Sequence, residues 1–171
     1  MEYVILVNEQ DQVVGFEEKQ KAHQLGFLHR AFSIFLFRNN EILMQQRHPQ
    51  KYHCGGLWTN TVCSHPRENE ITFDAANRRL FEELGIGADL REVDQFIYRA
   101  ELANGLIEHE LDHVFIGHYD GDISQFNPEE ISELKWMDIQ DLERDLAAHP
   151  ERYTPWLKQA LTLACQATII P

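Results

Sequence analysis

Ser64 to Ile86 reads SHPRENEITFDAANRRLFEELGI. Phe73, Ala76, Leu80 and Leu84 recur at helical spacing, which predicts a helix over Thr72 to Leu84. Gly85 suits the position just past its end, where the backbone commonly turns left-handed. Arg78, Arg79, Glu82 and Glu83 form two i,i+4 pairs, each worth only ~0.3–0.5 kcal/mol on an exposed helix face. What lifts this segment above an ordinary charged helix is its spacing: Ser64, five residues, Glu70, seven residues, Arg78.

Upstream, Ala31 to Phe37 is a continuous apolar run, as expected of a strand buried on both faces. Asn39-Asn40 reads as a turn into a strand Ile42 to Arg47. Val4–Val7 and Val13–Phe16 read as short strands around a turn at Asn8 to Asp11. Downstream, Phe96–Ala100 and Glu108–Tyr119 read as strands. Asp138 caps a helix running to Ala147. Thr154-Pro155 opens a last helix, Trp156 to Gln166. Strands and helices mix without regular alternation, so the expected fold is α+β: a mixed sheet flanked by helices, one domain over residues 1–171.

Hydrophobic residues make up 43% and charged residues 25%, an ordinary globular composition. A net charge of −13 argues against a general nucleic-acid binder, so cations for an anionic ligand must be gathered locally. No apolar run is long enough to cross a membrane, and the start of the chain carries no signal-peptide pattern. Cys54, Cys63 and Cys165 are too sparse for a disulfide framework, so a reducing cytoplasm is expected. No interface pattern stands out, and a monomer is expected.

Cys63 and His65 stand two apart, as do Glu108 and Glu110. In extended backbone each pair projects to one face. With His23 and His29 on the approach to the buried strand, the set offers three imidazoles and two carboxylates. Such donors suit five- or six-coordinate Mn²⁺ or Mg²⁺, and also Zn²⁺. Taken singly, each histidine is more often a surface or core residue, the glutamates a solvated strand face, and Cys63 a small buried hydrophobe.

The Ser64 to Ile86 spacing resembles the Nudix box, Gly-x5-Glu-x7-Arg-Glu-apolar-x-Glu-Glu-x-Gly-apolar. Ser64 replaces its leading glycine, and Arg79 stands where the box has its first helical glutamate. A carboxylate lost and a guanidinium gained should weaken diphosphate hydrolysis and strengthen anion holding. Further blocks extend the resemblance: Leu28 to Ser33, the segment Leu57-Trp-Thr-Asn-Thr-Val-Cys63-Ser-His65-Pro66, Tyr98 to Ala100, and Glu108-x-Glu110. Together they resemble the type I isopentenyl-diphosphate isomerases over nearly the whole chain. The resemblance implies Cys63 and Glu110 as the two acid–base groups. It implies His23, His29, His65, Glu108 and Glu110 around one divalent metal. Glu83, with the backbone carbonyl of Cys63, would hold a second Mg²⁺ arriving with the diphosphate. Lys19, Arg47, Lys51 and Arg79 match the diphosphate-binding positions. Tyr98 would reach the active-site glutamate or Cys63, and Trp156 would face the reacting hydrocarbon. Gly55 stands where the family pattern carries proline, which should loosen that loop.

The implied reaction makes each demand intelligible. Protonating an isolated alkene gives a tertiary carbocation, so the site needs a proton donor, a dry pocket and a π face. A tryptophan face is worth ~2 kcal/mol or more to a desolvated cation. Trp156 is the candidate, with Trp58 as a second wall or as ordinary core. Two groups on opposite faces add and remove the protons without rotating the substrate. Two other readings compete. A Nudix hydrolase cleaving a nucleoside or other diphosphate shares the fold but has no use for Cys63. A structural zinc site would use His53, Cys54, Cys63 and His65, without regular Cys-x2-Cys spacing.

Overall fold

The computed structural model describes residues 2–51 and 54–169. In chain order its elements are β1 (Tyr3–Val7), β2 (Val13–Glu18), α1 (Lys19–Leu25), β3 (His29–Arg38), β4 (Glu41–Arg47), β5 (Trp58–Thr59), β6 (Val62–Ser64), α2 (Thr72–Leu84), β7 (Arg91–Glu101), β8 (Ile107–His118), β9 (Ile131–Asp138), α3 (Ile139–Ala148), a 3-10 turn (Pro150–Arg152) and α4 (Leu157–Ile169). No helix among the described residues is long and apolar enough to cross a membrane.

β3 is the axis of the sheet. One edge runs parallel to β8, from His29 opposite Glu110 to Phe37 opposite His118. Its other edge pairs antiparallel with β6 at Phe32 to Ile34 and with β4 at Phe37 and Arg38. β7 covers the far side of β8, while β9 and β5 pair with β4. The parallel pair β3–β8 among antiparallel neighbours makes the sheet mixed, as an α+β fold requires.

The unbroken apolar run of β3 is explained by helices on both faces. Phe32, Ile34 and Leu36 pack with Val62, Phe115 and the α2 residues Ala75, Ala76, Leu80 and Leu84. Phe35 and Phe37 pack on the other face with Val114, Leu142, Leu157 and Leu161 from β8, α3 and α4. Burying each such side chain contributes roughly 1.5–3 kcal/mol before chain entropy is counted.

α2 spans the expected residues and ends on Gly85 at φ 72°, whose N–H donates to the Phe81 carbonyl. Its buried stripe differs from the expected one. Ala75 and Ala76 bring the helix against the sheet, which leaves Phe73 at the margin, 47% exposed. Asp138 caps α3 by accepting from the N–H groups of Gln140 and Asp141. The backbone carbonyl of Thr154 accepts from the Leu157 N–H at 3.2 Å, at the start of the last helix. The Thr154 hydroxyl lies 2.8 Å from that of Thr59 and ties the helix entrance to β5. At Gly55 the backbone runs close enough to the Pro49 carbonyl that any Cβ would collide with it.

Candidate active site

The β3 face that turns away from α2 carries His29, Ala31 and Ser33. Cys63 on β6 is opposite Ser33, and on β8 Glu110 is opposite His29 and Asp112 opposite Ala31. Cys63 and Glu110 therefore flank β3 from its two sides, with the small Ala31 between them on the floor. All three line one pocket of about 120 Å³, closed on one side by Trp156. Sites for drug-sized ligands are usually about 300–1,000 Å³, so this pocket suits a small group.

His23, His29, His65 and Glu110 offer ligand atoms that all lie within 4.8 Å of one another. All four side chains are buried. Backbone carbonyls orient two of the rings: His23 Nδ1 lies 2.8 Å from the Lys19 oxygen, and His29 Nδ1 lies 2.9 Å from the Phe27 oxygen. A neutral imidazole has one ring hydrogen. With that hydrogen on Nδ1, His29 Nε2 presents a lone pair to Glu110 Oε2 at 3.1 Å. His65 Nε2 meets the same oxygen at 2.7 Å. Only a cation, a proton or a metal, makes so many converging lone pairs attractive. Burial disfavours charge on His29, but the hydrogen bond and charge of Glu110 more than offset it and hold its pKa up. Burial pushes His65 down to about 4, against the opposing hydrogen bond and charge of Glu110 and with the charges of His29 and Lys19 adding to the fall. Burial alone would raise Glu110, yet the two imidazoles hold its carboxyl well below the usual range. Three imidazoles and an ionised carboxylate fit a divalent metal.

Glu108 stands outside this tight group. Its Oε2 accepts from the Tyr98 hydroxyl at 2.5 Å, and its Oε1 lies 3.6 Å from the Cys54 sulfur. The Tyr98 hydroxyl also contacts Glu110 Oε1. One phenol hydrogen cannot serve two carboxylates, so a second proton must be shared. Burial, then the Glu110 charge, pushes Glu108 up to about 8, which makes it the protonated member near neutrality. A chain Glu108–Tyr98–Glu110 results, with one end able to release a proton. Asp112 extends the acidic face. Its Oδ2 accepts from Ser33 at 2.7 Å, and burial followed by the Glu110 charge holds its pKa well above normal.

At Cys63 the Trp156 indole N–H donates to the sulfur at 3.1 Å, and the thiol lies 3.1 Å from Asn60 Oδ1. Asn60 is locked because its amide N–H groups donate to the Ile34 and Val62 carbonyls, at 3.1 and 2.9 Å. Burial, then the Asp112 charge, pushes the Cys63 thiol up to about 12, so it rests protonated.

Lys19, Arg47, Lys51 and Arg79 all line the pocket. Arg47 also stands over the Trp156 ring, 5.8 Å from its centre. Glu83 is buried beside the pocket, where its carboxylate takes Arg79 at 2.7 Å and Gln45 at 3.2 Å. The Glu-x7-Arg spacing has a direct meaning: Arg78 grips Glu70 with two bonds, of 2.8 and 2.9 Å, and pins the loop to α2. Trp58 does not wall the pocket. β-Alternation turns Thr59 toward the pocket and Trp58 to the other side, where it packs against the core, with Lys135 5.0 Å from its ring. The zinc arrangement does not form among the described residues: Cys54 faces Glu108, Cys63 faces Asn60 and Trp156, and His65 joins Glu110. His53 lies outside the described residues. Asn60, Ser33 and Asp112 were not anticipated. The Asp112 signal was present, since 108, 110 and 112 share one strand face.

A NUDIX domain profile matches residues 27–157. The fold is also that of a crystal structure from Deinococcus radiodurans, at a TM-score of 0.77 and 20% identity over 95% of this chain and 99% of that one. A MutT NUDIX hydrolase from Burkholderia pseudomallei superposes at 0.64, with 22% identity over 80% of this chain and 97% of the other. At such identities the likeness speaks for the fold alone. Sequence relatives are nearer. Isopentenyl-diphosphate Delta-isomerase 2 of Aromatoleum aromaticum is 48% identical, covering 96% of this chain and 88% of its own. The isopentenyl-diphosphate Delta-isomerase of Serratia proteamaculans is 47% identical over 91% of this chain and 87% of its own. At this identity over nearly the whole chain, and with the NUDIX profile matching most of it, the chain belongs to the isopentenyl-diphosphate Delta-isomerase family of NUDIX-domain proteins.

Proposed function

We propose that this protein interconverts isopentenyl and dimethylallyl diphosphate, with Cys63 and Glu110 as its acid–base pair. The observation that carries the reading is the thiol and the carboxylate facing one pocket across β3, with Ala31 on the floor between them. Adding a proton to the terminal methylene gives a tertiary carbocation, and losing one from the neighbouring methylene completes the shift. Because the reaction is reversible, each group is acid in one direction and base in the other. The Trp156 ring, anchored through its N–H to Cys63 and Asn60, faces the cation. Tyr98 passes protons between Glu108 and Glu110.

Lys19, Arg47, Lys51 and Arg79 take the diphosphate and aim the hydrocarbon between the two groups. Glu83 and the Cys63 carbonyl hold the Mg²⁺ that comes with it. His23, His29, His65 and Glu110, with Glu108 beside them, would hold one Mn²⁺, Mg²⁺ or Zn²⁺, which would fix Glu110 and draw off its charge. Three free cysteines suit a reducing cytoplasm. A pocket built for a hydrolase would lack the thiol and would put a carboxylate at Arg79.

The test is to supply isopentenyl diphosphate with a divalent ion and assay the acid-labile allylic product. The purified protein should form it, and should release no phosphate or nucleoside monophosphate from nucleoside diphosphate substrates. Phosphate release without allylic product would favour the hydrolase.

A further inference from the structure

Two of the cations lining the pocket already share an anion. Glu130 Oε2 contacts Lys51 Nζ directly and lies 3.3 Å from Arg79 Nη2. Its position is built rather than incidental. The Asn127 N–H donates to the Glu83 carbonyl at 2.7 Å, the Glu130 N–H to the Asn127 carbonyl at 3.1 Å, and the His48 N–H to the Glu130 carbonyl at 3.2 Å. The turn is thus sewn to α2, which carries Arg79, and to the segment after β4, which carries Lys51. The pair Lys19–Glu2 is different: at 3.5 Å, with the Glu2 side chain 56% exposed, it is a screened surface contact.

We infer that Glu130 is an internal counter-anion that the diphosphate must displace from Lys51 and Arg79, and that it sets the pocket's affinity for its ligand. The inference rests on reading the pocket as a diphosphate site. Without ligand, the carboxylate keeps two like charges together and spares them from ambient anions. Whatever stabilises the free form and is lost on binding lowers ligand affinity by the same amount. A diphosphate succeeds because it brings several charged oxygens where Glu130 brings one to both cations.

The experiment measures the affinity of inorganic diphosphate, with Mg²⁺ present, for the intact protein, Glu130→Gln and Glu129→Gln. Glu129 is an exposed neighbour whose change alters net charge equally. Glu130→Gln should bind roughly five-fold tighter, the scale of one partly buried ion pair. Glu129→Gln should bind as the parent does. Equal or weaker affinity in Glu130→Gln overturns the inference, as does an equal gain in Glu129→Gln. Glu130→Ala, measured alongside, must show the same gain, and guards against a local folding fault in the glutamine variant. If the parent binds no diphosphate, the reading of the pocket fails and takes this inference with it. If the parent binds and Glu130→Gln does not differ, this inference alone fails.

Discussion

The Cys63 thiol donates to Asn60 and its sulfur accepts from Trp156, residues far apart in the chain. They hold the sulfur at one wall, while two imidazoles hold Glu110 at the other. Cys63→Ala and Glu110→Gln should each lower turnover by about 10²–10⁴-fold, with near-parental thermal unfolding; parental kcat in either purified variant would defeat the assignment. Glu108 yields a pH prediction. Its carboxyl titrates near the ordinary 4.5 when unfolded and near 8 when folded. Between those values the folded chain holds a proton that the unfolded chain has lost, so this group's stabilising effect is full below 4.5 and fades as pH rises to 8. Glu108→Gln should flatten the fall in melting temperature over that window in metal-free protein; an unchanged slope would deny Glu108 the proton. Glu108 and Glu110 were legible as a pair because alternation is local. Asn60 was not legible as a clamp, because its partners Ile34, Val62 and Trp156 meet only in the fold.

α2 shows how much a helix can disclose about itself. Its limits and its left-handed end were present in the spacing from Ser64 to Ile86, whereas the Glu70–Arg78 clamp emerged only in the fold. Phe73 misled, because helical spacing does not say how close two alanines let the helix approach its sheet. Gly85 is at φ 72°, and a Cβ there would lie 3.0 Å from the Gln125 carbonyl oxygen. Gly85→Ala should therefore cost about 1 kcal/mol or more and lower the melting temperature by about 2–4 °C; an unshifted melt would show that the helix end can relax. α1 went unread because in seven residues it buries only Ala22 and His23, too few for a periodic signal. β9 went unread because charged Glu133 and Lys135 interrupt its pattern and its register shifts near Gln46 and Arg47.

Across the whole molecule, the net charge of −13 and a pocket lined by Lys19, Arg47, Lys51 and Arg79 are reconciled by local neutralisation. Glu130 and the α2 residue Glu83 pair with Lys51 and Arg79, while Glu2 makes only a screened surface contact with Lys19. The α+β class was readable from element order, but the parallel pairing of β3 with β8 was not. That pairing joins residues about eighty positions apart, and nothing local in either strand names its partner. Yet this pairing, with β6 on the other edge, is what sets a thiol and a carboxylate on either side of Ala31. The most direct test of that arrangement is to incubate the protein with isopentenyl diphosphate and a divalent ion in heavy water, then examine the product by mass spectrometry. Two acid–base groups that exchange with solvent predict dimethylallyl diphosphate carrying deuterium in a methyl group. Allylic product free of deuterium, or no allylic product at all, would contradict the account.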